Sequence, residues 1–432
     1  MMGSSATGIQ VGLGRVWRSV LLSDLLRRVS ATYATQLLNI IVAFATAILI
    51  TRSLGPNGRG IYAVAIAIGT LGVQVSNAGF HFANIYHVAH DRSLLSTLLG
   101  NTLLVSFGLG GLLAVLAWAF FAAEPNLAPV RGIPLAIGLL WIPFGLALML
   151  TENLLLGLQE TSSYNTIEAL IKLTTLVLAI AVVFSHRLQP EWFLIASFAA
   201  LLVSLSAALF KTSRFVQGWP RPSIAVLREN LPLGLRAYFI MLFSFLVLRI
   251  DLLMVKYMLG TEQAGYYSVA ANMADVCLLL PMAISAVLFP KLCGMADLRQ
   301  RFSLTRRTGV GIAGLLCLTL LVACLLAGPM VVLAFGRPFL PAASAFVWLA
   351  PGVLTLGIEI VVVQFLNSLG IPNSVIGIWL VSTVANICGN FWAIPRFGIV
   401  GASAVSSITY TLTFALILLT IVQTKSRLAV TP

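Results

Sequence analysis

The chain has 432 residues, 59% hydrophobic and only 9% charged, and its 26 Lys and Arg outnumber 13 Asp and Glu to give a net charge of +13. Soluble globular chains carry about a quarter of their residues as charges, so this composition excludes a water-exposed globular protein and makes lipid the solvent for most of the chain. The basic excess then points to anionic head groups and to topology rather than to nucleic acid.

In chain order, the first element is the basic segment 1–31, which contains "RVWRSVLLSDLLRR". Trp17, Leu21, Leu25 and Val29 are four apart and share a helical face, on which Arg28 also falls. It reads either as an interfacial helix or as a basic tail that sets topology. No cleavable leader is expected, because the first long apolar run starts only near Tyr33.

Apolar runs long enough to span, about 20 residues each, then follow at 33–53, 61–89, 95–122, 133–158, 163–185 and 191–211. After a basic loop they resume at 232–258, 265–290, 308–335, 341–369, 373–395 and 399–423. The fold class is therefore an all-α polytopic membrane protein of about twelve transmembrane helices. Most of the basic residues fall on one side of this arrangement, which predicts that both termini are cytoplasmic.

Span one carries a thin polar stripe of Gln36, Asn39 and Thr46. Span two carries a denser one: Thr70, Gln74, Asn77, His81, Asn84 and His87. At about 100° per residue the first five fall within roughly 80° of one another. Such a stripe predicts the wall of a wet cavity able to hydrogen-bond hydroxyl groups of a polar cargo, the alternative being a stripe bonded to a neighbouring helix. Span four brings Glu152. Span five brings Glu168 and Lys172 at i, i+4, the order that favours a helical ion pair; Lys172 is also a weaker phosphate contact. The basic loop near 213–229 separates an N-terminal half, 32–212, from a C-terminal half, 230–424, and 425–432 forms a cytoplasmic tail.

Span seven contains Arg236 near its start, then Arg249 and Asp251. Span eight contains Asp275, at the depth of Arg249 when both are counted from the hairpin near Gly260, so an Arg249–Asp275 contact is expected. Arg249 is the leading substrate cation, because its forked donors suit phosphate oxygens. Arg236 is a second contact, at the cavity mouth. Charge at mid-membrane is costly and marks function or pairing, so Asp275, Asp251, Glu359 and Glu152 are the ion-coupling candidates. The five cysteines lie in or beside apolar runs without a C-x-x-C and are read as buried hydrophobes. No metal set, no cofactor motif and no catalytic constellation is predicted, and no loop is long enough to fold as an enzyme domain.

One repeat organises the whole. Leu54–Ala65 reads "LGPNGRGIYAVA" and Leu259–Ala270 reads "LGTEQAGYYSVA", identical at six of twelve positions. The first copy opens span two and the second opens span eight. An even number of spans separates them, which predicts two six-helix halves related by a pseudo-two-fold axis along the membrane normal, with a central cavity between them.

The same segments carry a family resemblance. "TRSLGPNGRGIYAVA", the stretch from "LRIDLLMVKYMLG" to "FPKL", "AFGRPFLPAASAFVWLAPG" and "NSLGIPNSVIGIWLVSTVANICGNFWAIPRFGIVGASAVSSITY" resemble, in this order, the O-antigen-type flippases of the multidrug/oligosaccharidyl-lipid/polysaccharide exporter superfamily. The resemblance implies alternating-access translocation of a polyprenyl-diphosphate-linked glycan to the outer leaflet of a bacterial inner membrane. It also implies membrane lipids as partners, with polysaccharide polymerase and chain-length machinery downstream. Twelve spans weigh against the related lipid II flippases, which usually have fourteen. The alternatives are a cation-coupled drug antiporter of the same superfamily, which would want carboxylates to dominate its cavity, and a membrane-embedded glycan polymerase or ligase, which would want a large external loop.

Overall fold

The computed structural model describes the backbone of residues 6–216, 218–370 and 372–430, and the side chains of 38–424 except 217, 233 and 371. The side chains of the segment 1–31 and of the tail 425–432 lie outside the described residues, as does Gln36. Among the described residues there are helices and no strand. The helices are α1 (Ala6–Asn77), α2 (Phe80–His90), α3 (Leu95–Val105), α4 (Gly111–Ala123), α5 (Ile133–Gly157), α6 (Thr161–Phe184), α7 (Pro190–Ser213), α8 (Ile224–Leu259), α9 (Thr261–Cys293), α10 (Leu298–Leu325), α11 (Ala327–Ala334), α12 (Pro341–Asn367) and α13 (Asn373–Val430).

Among the described residues ten helical stretches are long and apolar enough to cross a bilayer, and two of them, Leu38–Asn77 and Asn373–Thr424, have 40 and 52 residues. At 1.5 Å per residue the shorter would reach about 60 Å, twice the ~30 Å hydrocarbon core. Each is broken once by a glycine outside helical geometry, Gly55 (φ 65°, ψ 179°) and Gly398 (φ 62°, ψ −146°). Each therefore supplies two crossings, and the total is twelve. The ninth crossing starts at Leu298 rather than at 308, because the Asp297 side chain accepts from Arg299 N at 2.8 Å and starts α10 within the basic segment.

The repeat explains how the halves join. Gly55 and Gly260 share one backbone geometry, with φ 65° and 94° and ψ 179° in both, a region open to glycine alone. Each turns the chain into the helix that follows. There the two copies meet face to face. A methyl group on Gly60 would run into the carbonyl of Thr261, and one on Gly265 into the carbonyl of Pro56. Pro56 and Thr261 hold the same place in the two copies, as do Gly60 and Gly265, so the contact is two-fold symmetric. Val64, Ala65, Val269 and Ala270 are fully buried behind it. Of the identical positions, Gly55 and Gly260 make the turns, Gly60 and Gly265 the contact, and Val64, Ala65, Val269 and Ala270 the buried backing.

Further ties hold this repeat end shut. Arg52 donates to the carbonyls of Leu333 and Ala334 at the C-terminus of α11, where a cation also meets the negative end of the helix dipole. Arg59 is 6% exposed and donates to Ser268 Oγ at 3.2 Å across the seam. Tyr257 donates to Leu127 O at 2.8 Å. Toward the other end of the bundle, where the chain termini lie, the halves touch along spans two and seven. Tyr238 donates to Val75 O at 2.9 Å, and Gly79 sits against Gly234 too closely for a side chain on either. Spans one and eight are not sealed in this way.

The cysteines correct one expectation. Cys293, Cys317 and Cys388 are exposed and Cys277 and Cys324 half-buried. A membrane helix gains nothing by hiding a thiol from lipid as it does from water, so an apolar setting does not imply an inward-facing one.

Candidate functional site

Between the halves, on the termini side of the seam, lies a cavity of about 560 Å³ lined by α1, α6 and α9. Its polar wall is Asn39, Tyr164, Asn165, Glu168, Lys172, Asn272 and Asp275, and its apolar wall is the α1 face from Ile40 to Ala47 with the α9 face from Val276 to Ala286. Steps of three and four along α9, from Asn272 through Asp275, Leu279 and Met282 to Ala286, hold one helical face to the cavity. The first turns of that face are polar and the rest apolar. The cavity is thus amphiphilic along a single helix.

Among the described residues the side-chain ion pairs are Glu168–Lys172 at 2.7 Å and Arg249–Asp275 at 2.9 Å. Both border this cavity. Glu168 and Lys172 lie one turn apart on α6 and line it directly. Arg249 stands on α8 outside the lining and reaches it through Asp275, at the shared depth expected from the hairpin. Only Nη2 of Arg249 is engaged; the other guanidinium N–H groups have no acceptor among the described residues. Both partners keep about 40% exposure, so the pair is neutralised without being sealed. Counted from the repeat leucines, Arg249, Asp251 and Asp275 match Phe44, Thr46 and Thr70 of the other half. The charge belongs to the C-terminal half alone.

The span-two residues do not line the cavity. α1 stops at Asn77, and Ala78 and Gly79 both take left-handed geometry, with φ 46° and 86°. The 100° periodicity therefore does not carry across, and the expected continuous stripe is two unrelated pieces. Asn77, His81 and Asn84 are buried. Asn77 Nδ2 donates to His81 Nδ1 at 2.6 Å, and His81 Nε2 faces Met241 Sδ at 2.9 Å. Asn84 Nδ2 donates to Thr102 Oγ1 at 3.0 Å. Thr70 bonds back to Ile66 O at 2.9 Å, and Gln74 Oε1 is buried without a partner. The stripe is a bonded seam, the alternative left open by the sequence. Replacing His81 by alanine should leave the Asn77 amide buried without its acceptor, at a cost of about 1–3 kcal/mol. A lowered unfolding midpoint in detergent, with little change in transport, is the expected result.

The remaining expected site residues separate. Arg236 is exposed on α8, away from the lining. Asp251 is 2% exposed inside the C-terminal half and accepts from Tyr267 Oη, from Ser406 Oγ at 3.0 Å and from Leu252 N at 2.8 Å. It is satisfied where it stands. Glu359 and Glu152 are buried in α12 and α5. Tyr164, Asn165 and Asn272 line the cavity unforeseen. The signal for the first was present: Tyr164, Glu168 and Lys172 recur every four residues and so share a face. Asn39 of the thin span-one stripe does line the cavity. Cysteine placed at Ala43 or Met282, in a background without the native thiols, should therefore react with a water-soluble maleimide, whereas cysteine at Asn84 should not.

Residues 25–295 match the sequence profile of the polysaccharide biosynthesis protein family. The chain belongs to that family. The chain is also similar to the probable flippase AglR of Haloferax volcanii, 31% identical over 170 residues, a match that covers 38% of this chain and 35% of the relative. The chain thus spans about a third of that relative's length. The fold is that of the multidrug/oligosaccharidyl-lipid/polysaccharide superfamily. A multidrug resistance MATE family transporter in its inward-facing conformation superposes with a TM-score of 0.73 at 12% identity, covering 91% of this chain and 96% of the other. The lipid II flippase MurJ in an inward closed conformation gives 0.72 at 14% identity, covering 90% and 87%. This family member is a multi-pass membrane protein, and the relatives it matches are flippases and transporters.

Proposed function

We propose that the protein translocates a polyprenyl-diphosphate-linked oligosaccharide from the cytoplasmic to the outer leaflet of a bacterial inner membrane by alternating access. Both termini then lie in the cytoplasm, as the basic loops favour, and 32–212 and 230–424 are the moving halves joined by the linker 213–229. The observation that carries this reading is the cavity wall itself. Lys172, with Arg249 behind Asp275, stands beside hydrogen-bonding amides for a charged, hydroxyl-rich head, and an apolar helix face continues beside them for a lipid chain. The family membership and the flippase relative support the same substrate class. The glycan would pass on to polymerase and chain-length machinery at the outer leaflet. The test is reconstitution into vesicles with a fluorescent polyprenyl-diphosphate glycan. Label reaching the opposite leaflet at a protein-dependent rate supports the reading; a rate equal to that of empty vesicles overturns it.

The runner-up is a cation-coupled drug antiporter, favoured by the fold shared with multidrug transporters and by a cavity within the ~300–1,000 Å³ range of drug-sized ligands. The presence of Arg249 and Lys172 beside the carboxylates argues for an anionic cargo instead. Export of cationic dyes by the same vesicles would favour the antiporter.

A further inference from the structure

A second internal repeat lies deeper in the chain. Trp141-x3-Gly145-x6-Glu152 in α5 has the spacing of Trp348-x3-Gly352-x6-Glu359 in α12. These helices are the fourth crossings of their halves, and each contains one interior proline, Pro143 and Pro351, at or just beyond two helical turns ahead of the glutamate. The two glutamates therefore hold matching places. Both are sealed, with Glu152 9% and Glu359 2% exposed, and Oε1 of each is buried without a hydrogen-bond partner. No ion pair reaches either among the described residues.

Their surroundings are sparse in charge. The charged groups acting on Glu152 are Glu168 and Lys172 of α6, which already pair with one another, and Tyr164 of α6 is the titratable group beside them. Among the described residues no charged group from α1, α2, α3, α4 or α7 joins them, and none from α9, α10, α11 or α13 acts on Glu359. An ionised carboxylate in such a place, inside a bilayer and without a donor, is disfavoured against the neutral acid. A metal ion would need several oxygen ligands, and no group of three or more His, Cys, Asp and Glu gathers among the described residues. The chemistry left to these carboxyls is the binding of a proton. Proline removes a backbone hydrogen bond and lets a helix bend, so each helix has a point at which movement can open the acid to water.

We propose that Glu152 and Glu359 are a pseudo-symmetric pair of proton-binding sites, one in each half, that each take up and release a proton as the halves exchange conformations. The cycle is that of the translocation reading, whereas proton binding is measured without any cargo. The experiment uses the full chain in phosphatidylethanolamine–phosphatidylglycerol vesicles, with infrared difference spectra recorded across a pH step in H2O and in D2O. Wild type should show protonated-carboxyl C=O bands that shift in D2O. Glu152→Gln and Glu359→Gln should each remove one component, and the double variant should remove both. If a glutamine variant fails to accumulate, Glu152→Asp and Glu359→Asp keep the acid on a shorter stem and should shift the corresponding band. Bands that persist in the double variant, or that stay unshifted in both aspartate variants, overturn the proposal. Loss of the bands combined with cargo translocation that still follows an imposed pH gradient overturns the coupling role.

Discussion

Arg249→Ala should reduce translocation at least a hundredfold while the protein still accumulates in the membrane. On the proposed reading, a diphosphate head would bring about two negative charges into a low-dielectric path, where a compensating cation is worth far more than in water. Arg249 offers a fork of donors of which one is used, and its partner Asp275 sits on a different helix at the cavity wall. Exchange of Asp275 for a phosphate oxygen therefore keeps the arginine paired with an anion. Hydrogen bonds to charged groups contribute about 1.5–3 kcal/mol each, so losing two amounts to roughly a hundredfold or more. The alanine variant also leaves Asp275 unpaired, facing the incoming anion. Arg249→Lys should keep the charge without the paired geometry and retain partial activity. Asp275→Asn should stay within about tenfold of wild type, because it frees the arginine. Quantifying membrane protein beside transport separates this from misfolding. Normal transport in Arg249→Ala would move the role to Lys172.

The second large effect is expected at the seam. Gly265→Val, or Gly60→Val, places a branched side chain where a carbonyl of the other half now lies. Overpacking of this kind costs about 1–3 kcal/mol, and the backbone atoms in the way cannot rotate aside as a side chain would. The strain is present only while the repeat end is closed. The population should therefore shift toward the state open at that end by roughly tenfold or more, since about 1.4 kcal/mol is a factor of ten. Asn57 and Glu262 are exposed at matching places in the two copies. Spin labels there should report a longer mean distance in either variant, together with slowed turnover. Unchanged distance and unchanged turnover would show that the seam does not govern closure.

How much of this was legible in the sequence depends on which physical signal each feature used. The crossings follow from hydropathy, which lipid enforces on every span, and the two-half plan follows from a repeat whose shared glycines Gly60 and Gly265 lie in the seam. The Arg249–Asp275 pair followed from counting rise along two helices joined by a tight turn. The cavity wall did not follow from the span-two stripe, because a helical wheel assumes an unbroken helix. Ala78 and Gly79 break it, and Gly79 does so where it must meet Gly234. A polar stripe also reports only that its residues avoid lipid; a bonded seam satisfies that as well as water does. The true wall was harder to see since it is assembled from three helices, with one polar residue from α1, four from α6 and two from α9.

The face-to-face meeting of Pro56–Gly60 with Thr261–Gly265 is an isologous surface held within one polypeptide. A six-helix unit carrying either copy would find the same surface on another copy of itself, and the same two glycines would let both backbones approach. The seam has the form of a homodimer interface, and the linker makes its two sides available in equal number at fixed effective concentration. The symmetry is confined to the backbone: Pro56 and Thr261 differ even where they touch, and the two ion pairs that border the cavity stand at unmatched places, Glu168–Lys172 within one helix of the first half and Arg249–Asp275 between two helices of the second.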